Sequence, residues 1–253
     1  TRQTVRRHIV QLEQLLGCTL LVSGPKGYEL TKEGNRHLAN ASWTLDQMED
    51  WISGAVDVVG YLQQASVQLE DGGYFCGRQH KLSDVWRIGT SSIQNGLRAW
   101  YESQANVEHP LVEEMRPKMV FFRKQQGKWL YIHVGDESTM TRWLGLVWAR
   151  SEVGSFLEED TMASDMDRFV TQAYDQTLAR GTVGYDHIAT TLARSRNGPL
   201  EPVNYQRLTL AYRLPDGSPV LGVLIIITDN IDVGMPAEFE LLPMPADMIT
   251  PDE

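Results

Sequence analysis

The feature that most constrains this chain is a hairpin. Gln206–Leu214 and Val220–Thr228 are strand-forming runs that flank Pro215-Asp216-Gly217, where a fixed proline φ and a permissive glycine favour a tight reversal. Antiparallel strands are therefore predicted there. A second pair, Met119–Arg123 and Trp129–Val134, is predicted across Gln125-Gln126-Gly127. Helical spacing predicts helices over Ser91–Ser103, where Ile93, Leu97, Trp100 and Tyr101 share a face, and over Met162–Arg180. The fold class is α+β. Val220–Ile227, the longest apolar stretch, is far short of a bilayer span, and the start has neither a charged head nor an apolar core with a cleavage site. The chain reads as soluble and cytoplasmic, with no membrane partner. At 253 residues and 42% apolar, two modest domains are expected.

The formal net charge of -10 argues against nucleic acid until it is divided along the sequence. Residues 1–37 hold Arg2, Arg6, Arg7, Lys26, Lys32 and Arg36 against Glu13, Glu29 and Glu33, a net of +3, so the remainder carries -13. A basic head on an acidic body suits a protein that meets phosphate at one end only. The two cysteines, Cys18 and Cys76, match no metal spacing and read as free thiols.

In the head, Val5, Ile9, Leu12, Leu15 and Leu16 recur at helical spacing, with Thr1 as N-cap and Gly17 as the stop. Gln3, Arg7 and Val10 lie opposite that stripe, with Arg2, Thr4 and Arg6 flanking. Gln and Arg suit bidentate contacts with adenine and guanine edges, and Val10 suits a thymine methyl. The bland alternative is a solvated amphipathic helix. A short strand then leads through Ser23-Gly24-Pro25-Lys26-Gly27-Tyr28 into a second strand, and Thr31 caps a further helix.

Thr1-Arg2-Gln3-Thr4-Val5-Arg6-Arg7-His8-Ile9, Leu12-Glu13, Leu16-Gly17 and Gly27-Tyr28-Glu29-Leu30-Thr31-Lys32-Glu33-Gly34 together resemble the LysR-type regulator signature over roughly residues 1–65. The resemblance implies a partial winged helix-turn-helix over 1–37. Its helix would enter the major groove of double-stranded DNA through Arg2, Gln3, Thr4, Arg6, Arg7 and Val10, with Lys26 at the wing tip on phosphate. It also implies two preceding helices, which are not part of this sequence, and a basic residue near Ser23, which is missing. His8 and His37 read as polar surface or interface residues.

Leu38, Ala41, Leu45, Met48, Ile52, Ala55, Val59 and Leu62 follow at alternating spacings of three and four, an a/d seam. A long linker helix over 38–70 is expected to form a homodimer through Leu38, Leu45, Met48, Ile52, Val59 and Leu62, facing a pseudo-palindromic operator. Gly54 and Gly60 weaken a continuous coiled coil, and packing on the body is the alternative.

A connecting helical segment is read over 71–112, then a domain over 113–233, then an acidic, Pro-rich tail over 234–253. Two strands, helices, and further antiparallel strands resemble the element order of a PAS domain. Such a domain encloses a small cavity, for which Trp143, Trp148, Phe156, Phe169 and Tyr174 are the candidate lining; the alternative is that they are core. No cofactor is assigned: no flavin-attachment motif is present, and haem would require His133 or His187, each more simply a hydrogen-bonded histidine. No catalytic or metal site stands out. Gly181-Thr182-Val183-Gly184 lacks the lysine of a phosphate loop, and Glu158-Glu159-Asp160 precedes a helix, where acids suit the dipole. The expected function is a DNA-binding transcription regulator, not an enzyme, whose PAS-like domain either takes a small molecule or serves only for pairing.

Overall fold

Gly17 ends the first helix by adopting φ +66°, a left-handed conformation that costs a glycine little. In this computed structural model, which describes residues 2–24, 27–52, 56–59, 62–69, 72–159, 166–194, 198–234 and 242–250, the chain divides into two compact units, 1–49 and 50–253.

The first unit is α1 (Arg2–Leu16), the antiparallel hairpin β1 (Leu21–Gly24) and β2 (Gly27–Leu30), and α2 (Lys32–Ile52), which runs three residues past the division. A polar latch joins them. The Glu13 carboxylate of α1 accepts from the backbone N–H of Leu20 (2.7 Å) and Leu21 (3.2 Å), donors that precede or open the strand. Thr31 caps α2: its hydroxyl accepts from Gly34 N at 2.8 Å and donates to Thr19 O at 2.7 Å. The Leu20 carbonyl accepts from Thr31 N at 3.0 Å and lies so close to Gly34 that a Cβ there would stand 2.2 Å from its oxygen. Leu20 is buried, whereas Val5, Leu12, Leu15 and Leu16 of α1 are exposed. Directed hydrogen bonds, more than an apolar core, hold the described part of this unit.

The expected linker helix over 38–70 is corrected. α2 stops at Ile52, and the assigned dimer positions Val59 and Leu62 stand on β3 (Val56–Val59) and β4 (Leu62–Gln68). Residues 56–68 carry Val56, Val58, Val59 and Val67, whose branched side chains favour extended backbone. The turn at Gly72-Gly73, with Gly72 at φ +86° and Leu69 N donating to Gly73 O, leads into another strand, β5 (Tyr74–Gln79), so the connecting segment read as helical over 71–112 is corrected to begin with a strand.

The second unit is built on an eight-stranded antiparallel sheet in the order β3-β4-β5-β8-β9-β10-β6-β7. Its other strands are β6 (Met119–Gln125), β7 (Lys128–Val134), β8 (Val183–Ala193), β9 (Leu200–Arg213) and β10 (Pro219–Ile227). Both predicted hairpins form. Gln125 pairs Lys128 across a two-residue turn in which Gln126 and Gly127 both have positive φ, the geometry that matches strand twist. Gly217, φ +78°, closes the β9–β10 loop, where the Asp216 carboxylate accepts from both the backbone N–H and the hydroxyl of Ser218.

Helices cover both faces. α3 (Val85–Ile88), α4 (Ser91–Glu102) and α5 (Pro110–Met115) lie on one, α6 (Thr139–Leu144), α7 (Leu146–Glu152) and α8 (Met166–Arg180) on the other. The alternation of β10 shows how: Val220, Leu224 and Ile226 enter the core with Ile93 and Leu97 of α4, while Leu221 and Val223 meet Tyr174 of α8. Gln206, fully buried, fixes the start of α4. Its Oε1 accepts from Thr90 N (2.9 Å) and its Nε2 donates to Ile88 O (2.9 Å) and Asn230 O (2.7 Å).

Candidate functional site

The sheet register places Gln79, Asp186 and Arg207 directly opposite one another on β5, β8 and β9, so their side chains leave the same face, beneath α8. Asp186 and Arg207 form a buried ion pair: Nε (3.2 Å) and Nη2 (3.0 Å) both donate to Asp186 Oδ2. Burial opposes the charge on Arg207, but Asp186 together with Tyr174 and Tyr205 more than offsets it, so the guanidinium is held protonated. Its carbon lies 5.6 Å from the Tyr174 ring centroid. The third nitrogen, Nη1, is buried and has no hydrogen-bond partner among the described residues.

A pocket of about 40 Å³ opens at this pair. β4 and β5 contribute Gln63, Ala65, Phe75, Gly77, Arg78 and Gln79; α8 contributes Phe169, Gln172 and Ala173; β8 and β9 supply Asp186, Ile188 and Arg207. Phe75 stacks on Phe169 with ring centroids 5.2 Å apart, forming an apolar wall beside the polar row. Gln176 Nε2 donates to Gln63 Oε1 at 2.9 Å, tying α8 to β4 at the rim.

One residue along β8, a second polar group leaves the opposite face. The Asp232 N–H donates to His187 Nδ1 at 2.8 Å, so the neutral ring carries its proton on Nε2, which donates to the Tyr185 hydroxyl at 2.6 Å. His80 Nε2 donates to Asp232 O at 2.8 Å and its ring lies 4.2 Å from that of His187. Arg78 reaches the Asp232 carboxylate at 2.7 Å. Burial, reinforced by neighbouring His80, pushes the His187 pKa down to about 3, and burial pushes the Tyr185 hydroxyl up. Both ring nitrogens of His187 are thus engaged by protein groups, and His133 Nε2 is within 3.1 Å of Arg116 O. Among the described residues no group of three or more His, Cys, Asp or Glu side chains could hold a metal ion.

Of the five aromatics assigned to a cavity, only Phe169 lines this pocket, and Tyr174 packs beneath its arginine. Trp143 donates from Nε1 to Ala193 O and packs with the Phe169 cluster; Trp148 packs edge-on to Tyr131; Phe156 lies under Lys128. In the head, Gln3, Thr4, Arg6, Arg7 and Val10 are exposed on α1. Arg2 opens α1, its side chain outside the described residues, as are Thr1 and Lys26. Leu38, Leu45, Met48 and Ile52 are 50–72% exposed along α2. Sequence reasoning missed Asp186 and Arg207; the available signal was a pair of charges inside runs otherwise fit for buried strands. Among the described residues no helix is long and apolar enough to cross a membrane.

Comparison with known proteins finds no matching family model, no matching curated protein and no matching solved structure.

Proposed function

We propose that the chain is a dimeric, cytoplasmic DNA-binding regulator. Its head acts as a LysR-like winged helix-turn-helix, α2 as the pairing helix, and the second unit as a PAS-like sensor. The observation that carries the reading is the latch at Glu13, Thr31 and Gly34: these signature residues hold one helix against a hairpin and launch the next, leaving Gln3, Arg6 and Arg7 exposed. The strand order β7-β6-β10-β9-β8, with α6, α7 and α8 inserted after the first hairpin, supports the sensor reading, as does a pocket between α8 and the sheet. The exposed Leu38, Leu45, Met48 and Ile52 support pairing through α2.

DNA binding tests the proposal. In anisotropy titrations against pseudo-palindromic duplexes, run with the two preceding helices that the LysR resemblance implies joined to the chain, Arg7→Ala should cost on the order of 1 to 3 kcal/mol and relax preference at one base position. Lys26→Ala should weaken all sequences alike and lower the salt slope by about one per site. If that protein bound no duplex better than its Arg2, Arg6, Arg7 triple-alanine variant at low salt, the regulator reading would be abandoned.

A further inference from the structure

We infer that the pocket beneath α8 binds the carboxylate of a small organic acid, with Arg207 Nη1 as its principal donor; the inference rests on reading the second unit as a sensor and names the class of effector. A buried polar group without a hydrogen bond is costly, and a guanidinium more so than an amide. The fold nevertheless carries one here: Arg207 is 3% exposed, two of its nitrogens share a single oxygen of Asp186, and Nη1 has no partner among the described residues. The pairing with Asp186 locks the guanidinium in orientation; Nη1 is shut off from solvent, so an acceptor reaches it through a local opening of the pocket wall and finds the donor already ordered.

The chemistry of the occupant follows from the surroundings. An unused guanidinium donor selects an acceptor, and a charged acceptor makes the stronger hydrogen bond. Among the described residues Asp186 is the only carboxylate in the lining, and it is already bound to Arg207, so the anion meets no uncompensated negative charge there. The stacked Phe75 and Phe169 exclude a second polar group from one wall and suit a short hydrocarbon stub. A volume of about 40 Å³ has room for roughly three water-sized groups, which fits the carboxylate head of a short acid with the rest of the acid toward the mouth.

The test uses the full chain without DNA and titrates acetate and propionate by ligand-observed NMR, with acetamide, propionamide and sulfate as controls. Saturable binding of the acids, at least about tenfold tighter than of the amides, is expected from the worth of a charged hydrogen bond. Ala173→Leu, which fills the pocket and leaves Arg207 and Asp186 in place, should abolish it. Arg207→Met with Asp186→Leu, which replaces the ion pair by apolar bulk and so avoids stranding a buried charge, should abolish it as well. Equal binding of the amides, equal binding of sulfate, no binding of either acid, or binding that survives Ala173→Leu would each overturn the inference. A bound acid that leaves DNA affinity unchanged would instead count against the sensor reading while the binding site stands.

Discussion

His187 makes the stability of the second unit depend on acidity in a way that can be worked out beforehand. The ring is fully buried, neutral, and held by Asp232 N–H and the Tyr185 hydroxyl, with a pKa near 3 against about 6.5 in an unfolded chain. Above pH 6.5 both states hold the ring neutral and its contribution is complete. Below it, the unfolded chain takes up a proton that the native state refuses, so stability falls by about 1.4 kcal/mol per pH unit until the native pKa is reached. At pH 4.5 the loss from this residue is roughly 3 kcal/mol, a large share of the 5–15 kcal/mol typical of a folded domain. Urea unfolding at pH 7.5, 5.5 and 4.5 measures it by difference. His187→Gln removes the titrating ring while leaving His80, Asp84, Asp232 and Arg78 in place, so those groups cancel to first order. The unaltered chain should be the more stable at pH 7.5, and its advantage should shrink by the stated slope. A gap that stays constant across the three pH values would refute the argument.

Two further outcomes are expected. Gly34→Ala drives a methyl into the Leu20 carbonyl, a backbone atom that cannot rotate away; a cost of about 1–3 kcal/mol is expected, read as faster hydrogen exchange at the amides of Leu20 and Thr31, and unchanged exchange there would argue against the latch. Leu45→Glu with Ile52→Glu places charges in the exposed stripe of α2 and should give monomers by light scattering; a double variant that remains dimeric would remove α2 from the interface.

What could be read from the sequence was local chemistry. Both β-hairpins around Gln126-Gly127 and Asp216-Gly217 were legible because turn residues act within four positions of themselves. α1 and α4 were legible because apolar residues recur at helical spacing in both, a stripe that α4 buries and α1 leaves largely exposed. β8 was not: Val183–Ala193 is buried on both sides, so its apolar and polar residues do not alternate, and Asp186 and His187 disguise it further. The linker reading failed because spacings of three and four can continue by chance into a strand, and only the density of valine and the glycines at 54 and 60 spoke against it. Asp186 and Arg207 stand 21 residues apart, and no sequence rule pairs them; strand register does.

The neighbouring positions 186 and 187 of β8 carry a mechanical consequence. Across β5, β8 and β9 two side-chain rows run side by side, Gln79, Asp186 and Arg207 on one face and Arg78, His187 and Gln206 on the other, each row one peptide away from its twin. The pleat points successive side chains to opposite faces, so the two rows share one backbone. The guanidinium of Arg207 is therefore only one peptide removed from Gln206, which with His187 grips the loop at Asn230 and Asp232 on the far side of the sheet.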